Sequence, residues 1–330
     1  MKNKLNNTIR IIIGLTIGFI LVAIWFNIVD FNELVYYFSN ANVVYVVPAV
    51  IFYLFSYFIR SERLRKLLSI KKHIPILKNY SYALAGNFLN YFIPIRAGEI
   101  AKCIFYKRNH DIAYSESAPS VIIDKIFDTF AIFVVLLLIP LTGIELYTYL
   151  NLLIILLIIV FIIGFSIVFL ISTKEKDLAN LFKKILFVIP KKYNKKIERF
   201  INLFVKGLAI FKHNKQLLLP SLILTFAATI SDSLFFYFMF NVFGIEISFI
   251  KILFGYTLIF LSYSIPHPPA QIGSNQMIML AIFYIGFGYD KIEVSAVMTF
   301  AHLITATVIL ITGTLCLFLA TYKEKNKPLI

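Results

Sequence analysis

Cysteine, acidic residues and charge in general are scarce in this chain, and each scarcity excludes something. Cys103 and Cys316 are the only two cysteines. Both lie in or beside apolar segments with no Cys or His at metal-ligand spacing, which excludes a disulfide framework and a cysteine metal site. Charged residues make up 15% of the chain, against about 25% in soluble globular domains. No Gly-x-Ser-x-Gly elbow, His-Glu-x-x-His helix or Walker loop occurs, so the sequence carries no hydrolase, zincin or ATP-site signature and implies no cofactor.

What remains is oil. Hydrophobic residues account for 60% and the mean hydropathy is +0.84, the composition of an integral membrane protein. At 330 residues the expectation is one membrane domain, 1–330, without a second soluble catalytic domain. The charge-free run 11–29 follows Lys2, Lys4 and Arg10 and is long enough to span, so it reads as a retained first helix rather than a cleaved signal. A net charge of +15 would suggest nucleic acid for a soluble protein. Here its distribution points instead to membrane topology, and no nucleic-acid partner is expected.

Loop 30–42 has Asp30 and Glu33 but no Lys or Arg, whereas 60–78 has seven basic residues and 172–216 has twelve. The segment 140–150 again has none, and the tail carries Lys323, Lys325 and Lys327. Because Lys and Arg stay on the cytoplasmic side, this alternation places both termini in the cytoplasm of a plasma-membrane protein. Full spans fall near 11–29, 43–59, 126–144, 148–171, 217–243 and 294–320. Two apolar pieces are left over. One, about 79–106, has basic loops on both sides and must return to the face it entered. The other, 252–289, runs 38 residues without a Lys, Arg, Asp or Glu. As one helix it would be about 57 Å long at about 1.5 Å per residue, too long for a bilayer core. It breaks at "SIPHPPAQIGSNQ", where Pro266, Pro268 and Pro269 deny helix hydrogen bonds.

The expected fold class is therefore an all-α polytopic membrane protein with about six full transmembrane helices and two re-entrant helical hairpins, one from each face. The N-terminal half, 1–171, and the C-terminal half, 217–330, then resemble in topology the inverted repeats of secondary transporters, whose sites lie where the halves meet. Between them, 172–216 has helical apolar spacing on both sides of Pro190. It reads either as basic amphipathic helices on the inner leaflet or as a solvated basic loop.

The residues with chemistry cluster at the hairpins. In "FIPIRAGEIAK", Pro94 suits a helix start, and the free N–H groups there favour an anion. Arg96 supplies a planar fork suited to phosphate, and Glu99 shares a helix face with Arg96 and Lys102. One reading is a neutralised pair that opens for an incoming phosphate; the other is a structural ion pair. In "IIDKIFDTF", Asp124 and Asp128 are four apart on one face, a repulsive spacing that calls for a cation, with Arg96, Lys125 or Lys102 as candidates. Asp232 is alone in its span and should face the bundle. His267, at the second break, serves a headgroup or a freed carbonyl, and His302 reads as a packing histidine.

"LNYFIPIRAGEIAK", then "DKIFD", then "PPAQIGSNQ" together resemble the flippase-like family that includes the transmembrane region of lysylphosphatidylglycerol synthetases. Asn90, Pro94, Arg96, Gly98, Glu99, Asp128, Pro269 and Gly273 match its pattern. Asp124 and Lys125 replace Glu and Arg. Ala270, Gln271 and Gln276 depart further, and Gln276 removes a carboxylate from the second hairpin. The resemblance implies movement of an anionic phospholipid or a polyprenyl-phosphate-linked lipid between leaflets. The substrate-binding set is then Asn90, Arg96, Glu99, Lys102, Asp124, Lys125, Asp128, Asp232, His267 and Gln276, with membrane lipids as partners. The alternative is a non-catalytic partner of a glycosyltransferase or envelope-assembly enzyme. A membrane hydrolase using Asp124 and Asp128 lacks a nucleophile or metal set beside them.

Overall fold

The computed structural model describes residues 16–69, 72–93, 97–139, 214–263 and 267–321, with 142, 148, 151–152, 154–159 and 203 besides. Pro94 and Arg96, most of 148–171 and 172–216, and the tail beyond Thr321 lie outside the described residues. Every described element is helical: α1 (Thr16–Ile28), α2 (Phe31–Ser39), α3 (Val46–Leu68), α4 (Ile76–Phe92), α5 (Ala97–His110), α6 (Tyr114–Leu138), α7 (Leu218–Val242), α8 (Phe249–Ser262), α9 (Ser274–Met279, continued by a π-helical stretch Leu280–Gly286) and α10 (Lys291–Thr321). By length and composition, three helical stretches suffice to cross a membrane: Val43–Leu68, Lys215–Val242 and Lys291–Thr321. The α1–α2 pair, bent by 85°, would make a fourth.

The first loop expected, 30–42, is largely a helix. Asp30 supplies the reason: its side chain accepts from Asn32 N at 2.8 Å and Glu33 N, capping α2, while Leu34 buries the inner face. The expected basic loop 60–78 is also helical as far as Leu68. No Pro or Gly interrupts it before Pro75, and Ile59, Leu64, Leu67 and Leu68 keep a buried stripe at helical spacing.

Backbone and side-chain ties fix which helix ends lie together. Asn42 N donates to Val242 O at 2.8 Å, joining the start of α3 to the end of α7. At the opposite end of the bundle, Lys72 Nζ donates to His110 O at 2.6 Å and Asn109 Nδ2 to Ala320 O at 3.0 Å. The chain entering α4 and leaving α5 is thus held at one end, beside the end of α10. Likewise Lys251 Nζ sits 5.3 Å from the Tyr289 ring, so α8 begins where the chain leaves α9, and Tyr289 packs on Phe240 near the end of α7. The two helical hairpins α4–α5 and α8–α9 therefore enter the bundle from opposite ends.

Small residues let α3 and α7 lie close: Ala49 and Ser56 on one, Ser221, Ala228 and Ser231 on the other, all buried. Ser231 Oγ donates to Phe52 O at 2.9 Å across this contact. The first hairpin closes at Gly86 and Gly98. A Cβ on Gly98 would run into the Gly86 carbonyl, and one on Gly86 would meet Lys102 Cε at 2.8 Å. The second hairpin turns through Ala270, Gln271 and Gly273, all at positive φ (54°, 57° and 75°). Gly273 rests on α1, where a Cβ would meet Gly18 O at 2.8 Å.

Candidate functional site

Both hairpin tips meet at one cavity of about 490 Å³. From the first come Asn90, Tyr91, Ile93, Glu99 and Lys102; from the second, Tyr256, Tyr263, His267, Gln271 and Asn275. Arg60 of α3, Lys125 and Asp128 of α6, Asp232 of α7 and His302 of α10 complete its polar wall.

Asn90 organises the first tip. Its Oδ1 accepts from Gly98 N at 2.7 Å, satisfying a free donor at the start of α5, and its Nδ2 donates to Glu99 Oε1 at 3.3 Å. Glu99 Oε2 pairs with Lys102 Nζ at 3.0 Å, and Oε1 lies 3.5 Å from Lys125 Nζ. Glu99 is therefore compensated by two lysines, one from each of α5 and α6.

Of the cations expected for the α6 aspartates, Lys125 lies 3.5 Å from Asp128 Oδ2, but the closer ones come from α3, and the sequence reading missed those. Arg63 Nε donates to Asp124 Oδ1 at 2.7 Å, and Nη2 to Asp124 O at 2.9 Å and Asp128 Oδ1 at 2.8 Å. Nη1 donates to Thr225 Oγ1 at 2.7 Å. Three residues earlier, Arg60 Nη2 donates to Asp232 Oδ2 at 2.6 Å, and Nε lies 3.4 Å from Asp128 Oδ1. Tyr256 Oη donates to the same Asp232 oxygen. The i,i+3 arginines on α3 thus face the i,i+4 aspartates on α6, a complementary spacing visible in the sequence once α3 is carried past Arg60. Read as part of a positive-inside loop, both arginines were hidden.

Of the other sequence candidates, Lys102, Lys125, Asp128 and Asp232 lie on the cavity wall. Asp124 stands behind it, held by Arg63, and is not among the lining residues. Gln276 is also off the wall, with Oε1 buried and without a hydrogen-bond partner among the described residues. Gln271 and Asn275 take its place, joined by Asn275 Nδ2 donating to Gln271 Oε1 at 2.8 Å. His267 Nε2 donates to the Ser262 carbonyl at 3.0 Å, the freed-carbonyl role. His302 is more than packing: its Nε2 is 3.0 Å from Tyr91 Oη, and it lines the cavity.

Residues 11–313 match the family described as the lysylphosphatidylglycerol synthase TM region. The chain belongs to that family. With its long apolar helices, this makes it a multi-pass membrane protein. No curated protein and no solved structure matches the chain.

The family match covers both hairpins and all of the cavity's polar wall. Among the described residues of that wall and the shell behind it, Arg60, Arg63, Lys102 and Lys125 are balanced by Glu99, Asp124, Asp128 and Asp232, four cations against four acids. Charges so placed are costly in an apolar bundle unless paired. Each of these described cations already holds an acid, with which an anion bound to it would compete.

Proposed function

We propose that this protein moves a phosphate-bearing membrane lipid, either an anionic phospholipid or a polyprenyl-phosphate-linked lipid, between leaflets, with the headgroup passing through the cavity. The observation that carries this reading is the cavity itself: a charged chamber at the meeting point of two opposed hairpins, inside a bundle whose outer face is apolar. Its volume of about 490 Å³ suits a lipid headgroup. The tails would remain in the bilayer.

On this reading α4–α5 and α8–α9 are re-entrant, with their broken tips in mid-membrane, where irregular backbone is tolerated because it lines a polar cavity. The end bearing Lys72 and Arg108 faces the cytoplasm, as the basic residues require. Lys125, Lys102 and Arg60 are the cations offered to phosphate, and Asn90, Gln271, Asn275 and His302 are the neutral hydrogen-bonding groups. The family description, which names a synthase of an aminoacylated phospholipid, is in keeping with a lipid ligand. No ATP-site signature occurs, so transfer runs down a gradient or is coupled to an ion.

The test is transfer by the purified full chain in vesicles carrying a headgroup-labelled anionic phospholipid. Loss of label to an impermeant reductant beyond the outer-leaflet fraction supports the reading. Loss equal to that of protein-free vesicles, for both phospholipid and polyprenyl-phosphate probes, contradicts it and leaves the accessory role.

A further inference from the structure

Four cations serve the cavity network among the described residues, but they are not equivalent. We propose that Arg60 is its exchangeable cation, holding Asp232 when the cavity is empty and releasing it to bind the lipid phosphate. The proposal rests on the lipid-phosphate reading above and names the residue and the competing acid.

Three observations set Arg60 apart from Arg63, the other guanidinium of the network. First is access: its side chain is 12% exposed and lines the cavity, whereas that of Arg63 is 0% exposed and absent from the wall. Second is spare capacity. Nε and Nη2 make the bonds described above, but Nη1 donates to no described residue, leaving part of a planar fork for a phosphate oxygen.

Third, Arg60 can leave without removing the last donor from either of its acids. If it turns away, Asp232 keeps the Tyr256 hydroxyl on Oδ2. Asp128 keeps Arg63 Nη2 at 2.8 Å on Oδ1, with Lys125 Nζ 3.5 Å from Oδ2. The movement therefore leaves Asp128 compensated and breaks the Asp232 ion pair alone, so Asp232 is the acid the phosphate must outcompete. Arg63 has no such freedom, since no other described residue bonds the Asp124 carboxylate.

The position of Arg60 gives the exchange a consequence. Its bond to Asp232 of α7 ties the N-terminal half to the C-terminal half. A phosphate that takes Arg60 from Asp232 loosens that tie while the headgroup is bound. The ligand would thus favour a rearrangement only to the extent that it competes with Asp232.

The sign of two substitutions tests this. Purified full chain is titrated calorimetrically with dihexanoyl phosphatidate, using dihexanoylglycerol as the phosphate-free control and inorganic phosphate as the lipid-free one. Arg60→Gln should weaken phosphatidate binding about tenfold or more, the worth of one charge-assisted hydrogen bond. Arg60→Lys should recover only part of it, because an ammonium lacks the fork. Asp232→Asn should tighten binding by about threefold to tenfold, since the competing carboxylate is gone. A purely structural latch would weaken binding in all three variants, and that result overturns the proposal. If Arg60→Gln does not fold, the opposite signs of Arg60→Lys and Asp232→Asn still decide it. Wild-type protein that binds the phosphate-free control or inorganic phosphate as tightly as phosphatidate contradicts the lipid-phosphate reading as well. Variants that fail while wild type still selects phosphatidate contradict the Arg60 assignment alone.

Discussion

Arg63→Met should be among the most damaging single substitutions in the protein, and for an electrostatic reason. The arginine is fully buried and makes four hydrogen bonds, to the Asp124 side chain and carbonyl, the Asp128 carboxylate and the Thr225 hydroxyl. Asp128 would retain Arg60 and Lys125, and Thr225 would still donate to Ser221 O at 2.6 Å. Asp124 would retain no described partner and would be a buried, uncompensated carboxylate. Breaking such a pair from one side costs about 3–5 kcal/mol. Removing both charges should cost much less, because apolar side chains of similar volume often replace a buried pair at little loss. Unfolding by sodium dodecyl sulfate in mixed micelles, followed by loss of helicity, measures the difference. Arg63→Met should lose about 3–5 kcal/mol and the double variant Arg63→Met/Asp124→Leu should regain most of it. A single variant within about 1 kcal/mol of wild type, or a double variant no better than the single, refutes the stranded-charge argument.

Gly98→Ala should cost about 1–3 kcal/mol in the same titration, because its Cβ collides with the Gly86 backbone and forces the hairpin apart. Gly244→Ala, at φ 66° with open space around it, should cost only about 1 kcal/mol of backbone strain, and equal losses at both positions would contradict the close-approach argument. For topology, with Cys103 and Cys316 replaced, a cysteine at exposed Asn40 or Gly244 should react with an impermeant thiol reagent from outside intact cells. One at exposed Arg108 should not, and labelling there from outside would reverse the orientation.

The sequence made the helical class and the two opposed hairpins legible because charge is placed so unevenly along it. The uninterrupted apolar run 252–289 and its prolines mark the second hairpin, and the basic flanks of 79–106 mark the first. Much of the site was legible too. Asp124 and Asp128 at i,i+4 call for a buried cation, and lone Asp232 for a place inside the bundle. Of the expected cations Lys125 does lie 3.5 Å from Asp128 Oδ2; the two arginines were not legible. Arg60 and Arg63 look like positive-inside residues when counted by loop, and only the continuation of the stripe through Leu64, Leu67 and Leu68 turns them inward. Likewise Gln276, aligned with a motif carboxylate, falls off the wall. The strained turn at Ala270 and Gln271 sets which polar side chains of the second hairpin reach the cavity, and local spacing does not reveal that turn. The pairing of Glu99 with Lys125 joins two hairpin-proximal helices and depends on tertiary packing at Gly86 and Gly98.

Lipid transfer in vesicles by wild type and Lys125→Gln, compared side by side, tests the central claim most directly. Lys125 is the most exposed cation of the cavity, with a 35% exposed side chain and both acid partners at 3.5 Å, so its loss should leave the fold intact while removing a phosphate contact. The account predicts that wild type transfers a headgroup-labelled anionic phospholipid or a polyprenyl phosphate faster than protein-free vesicles, and that the variant is about tenfold or more slower. Equal transfer by both proteins, or none above protein-free vesicles with either lipid, would contradict it.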